Sequence, residues 1–183
     1  ILLLPGDGVG PEIMSEAVKL LDYLIDSKVI DIRYEFSDIG GIAIDNHGNP
    51  FPDVTFEKAK SSHAILLGAV GTKKHEKNAN KMKPESGLLA LRKTLDLYIN
   101  LRPIFIFKSL IDKSSLKPDI IKDIDLVIVR ELVSDIYFGE PRGFSEDNKS
   151  AFNTMRYTES EIMRITEYAI KLSNKRKGRI TSV

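Results

Sequence analysis

Residues 64–70 read AILLGAV, an unbroken apolar run between the polar stretch Lys60-Ser-Ser-His63 and Gly71. A short, continuous run of this kind predicts an interior parallel strand covered on both faces, since a half-exposed strand would alternate. Ile1 to Leu4 is a second such run, closed by Pro5-Gly6. After it, Asp7-Gly-Val-Gly10 reads as a tight strand-to-helix turn, with Pro11 suited to the first turn of a helix. Met14, Val18, Leu21 and Ile25 then recur at helical spacing to about Ser27. Ile30, Ile32, Tyr34 and Phe36 alternate with Asp31, Arg33 and Glu35, a half-exposed strand. Gly40-Gly41 and residues 46–50 mark a turn-rich connection, and Asp53 can cap a short helix to about Ser61. The alternation of strands and helices indicates an α/β fold.

Downstream, GLLALRKTLDLYINLRP (87–103) changes period part-way. Leu88, Leu91 and Leu95 form one helical stripe, whereas Leu97, Ile99 and Leu101 alternate as a strand that Arg102 ends before Pro103. Arg92 and Arg102 thus stand in an apolar setting. Two guanidinium forks converging on one pocket suit a small di- or tricarboxylate, although spacing alone leaves surface salt bridges open. Between the two segments, residues 71–84 carry Lys73, Lys74, Lys77, Lys81 and Lys83 with little apolar content. They follow the carboxyl end of a strand, where open α/β sheets hold ligands, and on spacing alone they are equally an ordinary solvated loop.

Residues 108–122 are mixed and polar, and 125–131 (DLVIVRE) read as another buried strand with a charged pair at its end. Residues 136–157 form a strand-rich excursion turned by Gly139-Glu-Pro-Arg-Gly143. Thr158-x-x-Glu161 is a capping box, followed by the helical stripe Ile162, Ile165, Ala169 and Leu172, and Arg179 to Val183 looks like the start of a strand. The 27 basic and 26 acidic residues give a net charge of +1, which offers no pull toward nucleic acid or an anionic membrane. No cysteine is present, which excludes thiolate metal sites and suits a reducing cytoplasm. No apolar run approaches the ~20 residues of a membrane span.

Several stretches together resemble the isocitrate/isopropylmalate dehydrogenase family of β-decarboxylating dehydrogenases, and within it the isopropylmalate branch. They are LPGDGVGPE (4–12), GGIAID (40–45), LLGAVG (66–71), PESGLLALRK (84–93), NLRP (100–103), IVRE (128–131), IYFGEPRG (136–143) and the closing TSV. The resemblance implies a two-domain α/β fold with a mostly parallel sheet, present here as the N-terminal half. Residues 1–99 would belong to a first, discontinuous domain. Residues 100–183 would be part of a second, with a dimer arm near 136–157. The implied reaction is NAD-dependent oxidative decarboxylation of 3-isopropylmalate to 2-oxoisocaproate (4-methyl-2-oxopentanoate) and CO2 in leucine biosynthesis, by a cytoplasmic homodimer using Mg or Mn. Isocitrate or tartrate dehydrogenase, and a non-catalytic regulatory subunit, are the alternatives.

By the same resemblance, Arg92, Arg102 and Arg130 bind substrate carboxylates, Leu88 and Leu89 meet the isopropyl group, and Tyr137 protonates the enolate carbon. The cofactor would be flanked by Gly71, Thr72, Lys73, Lys74, His75, Glu76, Lys77, Asn78, Ala79, Asn80, Lys81, Met82, Lys83, Pro84 and Glu85. The catalytic lysine, the metal-binding aspartates and the adenine-binding loop would lie beyond residue 183. Two stretches depart from the family pattern. Thr72 to His75 replaces a second glycine, a proline and an aromatic, and Val133-Ser134-Asp135 stands where many members carry Thr-Gly-Gly.

Overall fold

The computed structural model describes residues 1–183, which divide into two compact units, Ile1–Leu95 and Asp96–Val183. The first unit is built on a three-stranded parallel sheet of order β2-β1-β3: β1 Leu2–Gly6, β2 Glu35–Phe36 and β3 Ile65–Ala69. Its helices are α1 Gly10–Asp26, α2 Gly41–His47, α3 Asp53–Ser61 and α4 Pro84–Thr94. Leu2, Leu3 and Leu4 are fully buried, so the interior strand is β1. The 64–70 run is parallel as read, but it pairs on one side only, and β3 within it is half-buried throughout. Its continuous apolar character therefore does not make it the centre of this sheet.

Other expectations shift for similar local reasons. The alternating 30–36 segment pairs only at Glu35 and Phe36, because Val29 and Ile30 turn back to donate to the Leu24 carbonyl. The turn-rich 40–50 connection contains the helix α2, started by a carboxylate from elsewhere in the chain. Asp53 is the first residue of α3 rather than its cap; Pro52 holds that position. On α4 the buried line is Pro84, Gly87 and Leu91, with half-buried Leu95 packed on the core, so Leu88 lies off it and is half-buried. Gly87 sets that rotation, since a Cβ there would lie 2.3 Å from the Pro50 carbonyl oxygen. Leu91 joins Leu2, Leu4, Ile39, Phe51 and Ala59 in the core.

The second unit begins two residues after α4, at Asp96 (φ 49). The boundary thus precedes the 99/100 position expected from sequence, which would cut the first residue from β4 Ile99–Phe105. β4 pairs antiparallel with β5 Asp125–Glu131, and the short α5 Pro118–Ile121 lies between them in sequence. Pro103 does not end β4 but sits within it. A two-stranded ribbon has free edges on both sides, and a missing N–H is tolerated when it faces outward. β5 is not buried, because only one face of the ribbon carries a helix: Leu126 and Ile128 are 44% and 47% exposed. That helix is α6 Glu159–Asn174, with the capping box of Thr158 and Glu161 in place. Arg164 ties it down, bonding Asp96 at 2.7 Å and stacking 4.2 Å from the Tyr98 ring centroid. Residues 143–144 (β6) and 151–152 (β7) pair as a small antiparallel ribbon within the excursion. Residues 179–183 form no strand.

Candidate functional site

In the second unit, register places the polar side chains. Asn100 lies opposite Arg130, and Arg102 opposite Ile128, so Asn100, Arg102 and Arg130 share one face of the β4–β5 ribbon. Asn100 Oδ1 accepts from Arg102 Nε at 2.8 Å, which orients that guanidinium. Glu131 points to the other face. Its carboxylate accepts from the backbone N–H of Val133 and Ser134 (2.9 Å for the latter) and folds the chain back after β5. The fold-back delivers a 3₁₀ turn, Asp135–Tyr137, whose tyrosine ring lies under Arg130 with the guanidinium carbon 5.6 Å from its centroid. Arg102 is exposed, Arg130 half-buried and Tyr137 half exposed at 50%, so all three can be reached by a ligand.

Asp135 takes φ 71, the left-handed region that favours glycine. Its N–H donates to the Arg156 carbonyl, which lays residues 154–157 alongside the tyrosine turn. Tyr157 stands next to the Asp135 carboxylate. Burial first, and that carboxylate second, push its phenol above the usual tyrosine range. Sequence reading singled out neither Asn100 nor Tyr157. The period-two rule could have found Asn100, two residues from Arg102. Tyr157 had no local signal, since its neighbour is 22 positions away.

In the first unit, Arg92 is in the last turn of α4 and half-buried, with Leu88 one turn earlier on the same side. Leu89 is also half-buried. The loop that precedes α4 contains two 3₁₀ turns, Lys73–His75 and Asn80–Met82. Gly71, Thr72, Lys73, Glu76, Lys83, Pro84 and Glu85 line a cleft of about 570 Å³. Glu85 overhangs its floor, with Oε1 3.1 Å from where a Cβ at Gly71 would lie. His75 turns inward and is 7% exposed. Its Nδ1 faces the Asn78 amide at 3.1 Å and its Nε2 lies 3.2 Å from Asp45. Lys74 bonds Asp45 at 2.6 Å and holds that carboxyl below the usual range, with His75 adding a smaller pull. Lys77, Ala79, Asn80, Lys81 and Met82 do not line the cleft.

The chain matches the isocitrate/isopropylmalate dehydrogenase family over residues 1–183. It belongs to that family. Among its relatives are proteins named 3-isopropylmalate dehydrogenase, from Prochlorococcus marinus (48% identical) and from Neisseria meningitidis serogroup B (45% identical), each matched over 100% of this chain and 52% of its own length. The chain thus spans about half the length of the curated relatives it matches. Among solved structures, isocitrate dehydrogenase from Methylococcus capsulatus superposes with a TM-score of 0.76 at 26% identity, covering 95% of this chain and 47% of that one. A β-decarboxylating dehydrogenase from Thermococcus kodakarensis gives 0.65 at 28%, covering 96% and 46%. As a member of this family the chain has the expected α/β architecture with a parallel sheet. No three His, Asp or Glu side chains converge in a way that could hold a metal ion. The residues present therefore do not form a centre for Mg or Mn. No helix is long and apolar enough to cross a membrane.

Proposed function

We propose that this chain carries the substrate arginines and the proton donor of a cytoplasmic, NAD-dependent 3-isopropylmalate dehydrogenase. The whole enzyme would convert 3-isopropylmalate to 4-methyl-2-oxopentanoate and CO2 in leucine biosynthesis. The observation that carries this reading is the ribbon face on which Arg102 and Arg130 lie together, with Tyr137 under Arg130. A 2-hydroxy dicarboxylate brings two negative charges, and fixed guanidinium forks bind such groups by paired, charge-assisted hydrogen bonds. In the first unit, Arg92 with Leu88 and Leu89 beside it on α4 is the second element of this reading, a cation next to apolar side chains suited to a carboxylate and an isopropyl group.

The cleft beside Gly71 fits the nicotinamide side of a dinucleotide, since Lys73 and Lys83 supply cations and Glu85 an acceptor for a ribose hydroxyl. Bound NAD would supply the acceptor for the C2 hydride, and the C2 hydroxyl proton would pass to a base as the ketone forms. Loss of CO2 from the resulting β-keto acid leaves an electron pair on the α-carbon. Tyr137 would hand its phenolic proton to that carbon, and Arg130 over the ring would steady the phenolate that remains. Arg102 and Arg130 hold the substrate throughout, so chemistry and binding share one face.

The excursion 136–157 leaves Phe144, Phe152 and Met155 exposed at 70%, 46% and 67%, as suits an arm that packs against a second copy. The test uses the full-length protein. With 3-isopropylmalate and NAD it is expected to form NADH and CO2 in equal amounts while sedimenting as a dimer. Failure to form NADH sinks the catalytic reading, and an active monomer sinks the arm's role.

A further inference from the structure

Asp7 is a buried carboxylate, 6% exposed, that the proposed chemistry does not use. Its Oδ2 accepts from the backbone N–H of Gly41 (2.7 Å) and Gly71 (3.0 Å), and its Oδ1 from Ile42 (2.8 Å). These donors come from two places remote in sequence: the first turn of α2, and the point where the lysine-rich loop leaves β3. Three fixed N–H groups offset the cost of burying the carboxylate and tie both places to the end of β1. The surrounding glycines clear room for it. A Cβ at Gly40 (φ 81) would lie 2.5 Å from Oδ2, and one at Gly41 would lie 3.0 Å from Oδ1. The loop meets α2 a second time through His75 and Lys74 at Asp45.

We infer that Asp7 is a positioning residue for the dinucleotide: its carboxylate locks Gly71, and hence the wall of the cleft through Glu85, against the start of α2. The inference rests on the reading of that loop as the cofactor side. A wall already fixed need not be ordered when the cofactor arrives, which favours binding. α4, which follows the loop, is held independently by Gly87 against Pro50 and by Leu91 in the core. Loss of the Asp7 contacts should therefore weaken the cofactor side and spare the substrate side.

The experiment uses the full-length enzyme carrying Asp7→Asn, whose single oxygen leaves one of the three N–H groups facing an amide N–H. KM for NAD is expected to rise about tenfold or more, the scale on which small displacements act at a reactive site, with KM for 3-isopropylmalate little changed. Gly40→Ala, which presses on Oδ2 while keeping the carboxylate, should give the same split. Trypsin reports the loop directly at Lys73, Lys74, Lys77, Lys81 and Lys83: cleavage there should be faster in Asp7→Asn and less protected by NAD. Thr55→Val is the control, because it removes a buried hydrogen bond to the Asp38 carbonyl (2.7 Å) in the same unit, away from the loop. It should lower Tm without an NAD-specific change. If Asp7→Asn merely behaves like Thr55→Val, the inference is overturned. If NAD protects the wild-type lysines and the Asp7→Asn lysines equally, the inference fails and the reading of the loop stands. If NAD protects no lysine even in the wild type, the reading of the loop fails and takes the inference with it.

Discussion

Tyr137→Phe in the full-length enzyme is expected to lower kcat by about 10²- to 10⁴-fold, the usual range for a positioned general acid, while KM for 3-isopropylmalate changes little. The substitution keeps the ring under Arg130, 5.6 Å from the guanidinium carbon, and removes only the hydroxyl. Ground-state contacts made by the ring therefore survive. What is lost is a proton delivered as the α-carbon is quenched, an interaction made in the transition state alone, and such a loss appears in kcat. Product analysis sharpens the test, because the variant should still release NADH faster than it forms finished 4-methyl-2-oxopentanoate. A rise in KM at unchanged kcat would make Tyr137 a binding residue and contradict its assigned role.

Arg102→Ala should cost kcat/KM about ten- to a hundredfold or more, from the ~1.5–3 kcal/mol of a hydrogen bond to a charged group. Arg102 is exposed and bonds only the Asn100 side chain among the contacts of its guanidinium that the structure resolves, so truncation leaves no buried charge unpaired. The fold should be unaffected, and Tm is the control. Arg130→Ala is expected to reach the same loss by two routes, because it also uncovers the Tyr137 ring. The two effects should not add when combined, as both arginines serve one ligand from one face. Wild-type kinetics in Arg102→Ala would remove it from the site.

How far the sequence could be read depended on the range of the interaction. Helical stripes and the Thr158–Glu161 capping box are local, and α1, α4 and α6 stand where those signals put them. That 64–70 is a parallel strand was legible from composition, but its partner and its place at the sheet edge were not, because edge and centre differ only in neighbours. The same holds for β5, whose apolar residues read as buried while the ribbon leaves Leu126 and Ile128 open. The α2 helix escaped notice because its first turn is held by Asp7, 34 positions from Gly41. Motif resemblance singled out Arg102 and Arg130 as candidates. Their common face required the β4–β5 register, which no single segment encodes.

On the proposed reading, Leu88 selects an apolar side group on a 2-hydroxy dicarboxylate. Half-buried Leu88, one turn before Arg92, would lie against whatever that arginine holds. An isopropyl group gains roughly 1–3 kcal/mol from such a contact. A carboxylate placed there would lose water without gaining a partner, at a cost of several kcal/mol (order of magnitude). The most direct measurement is kcat/KM of the full-length enzyme on 3-isopropylmalate, isocitrate, malate and tartrate, for wild type and Leu88→Ser. Wild type is expected to favour 3-isopropylmalate over isocitrate by about a hundredfold or more, and Leu88→Ser to narrow that ratio from both sides. A wild type that turns over isocitrate as well as 3-isopropylmalate would contradict the account.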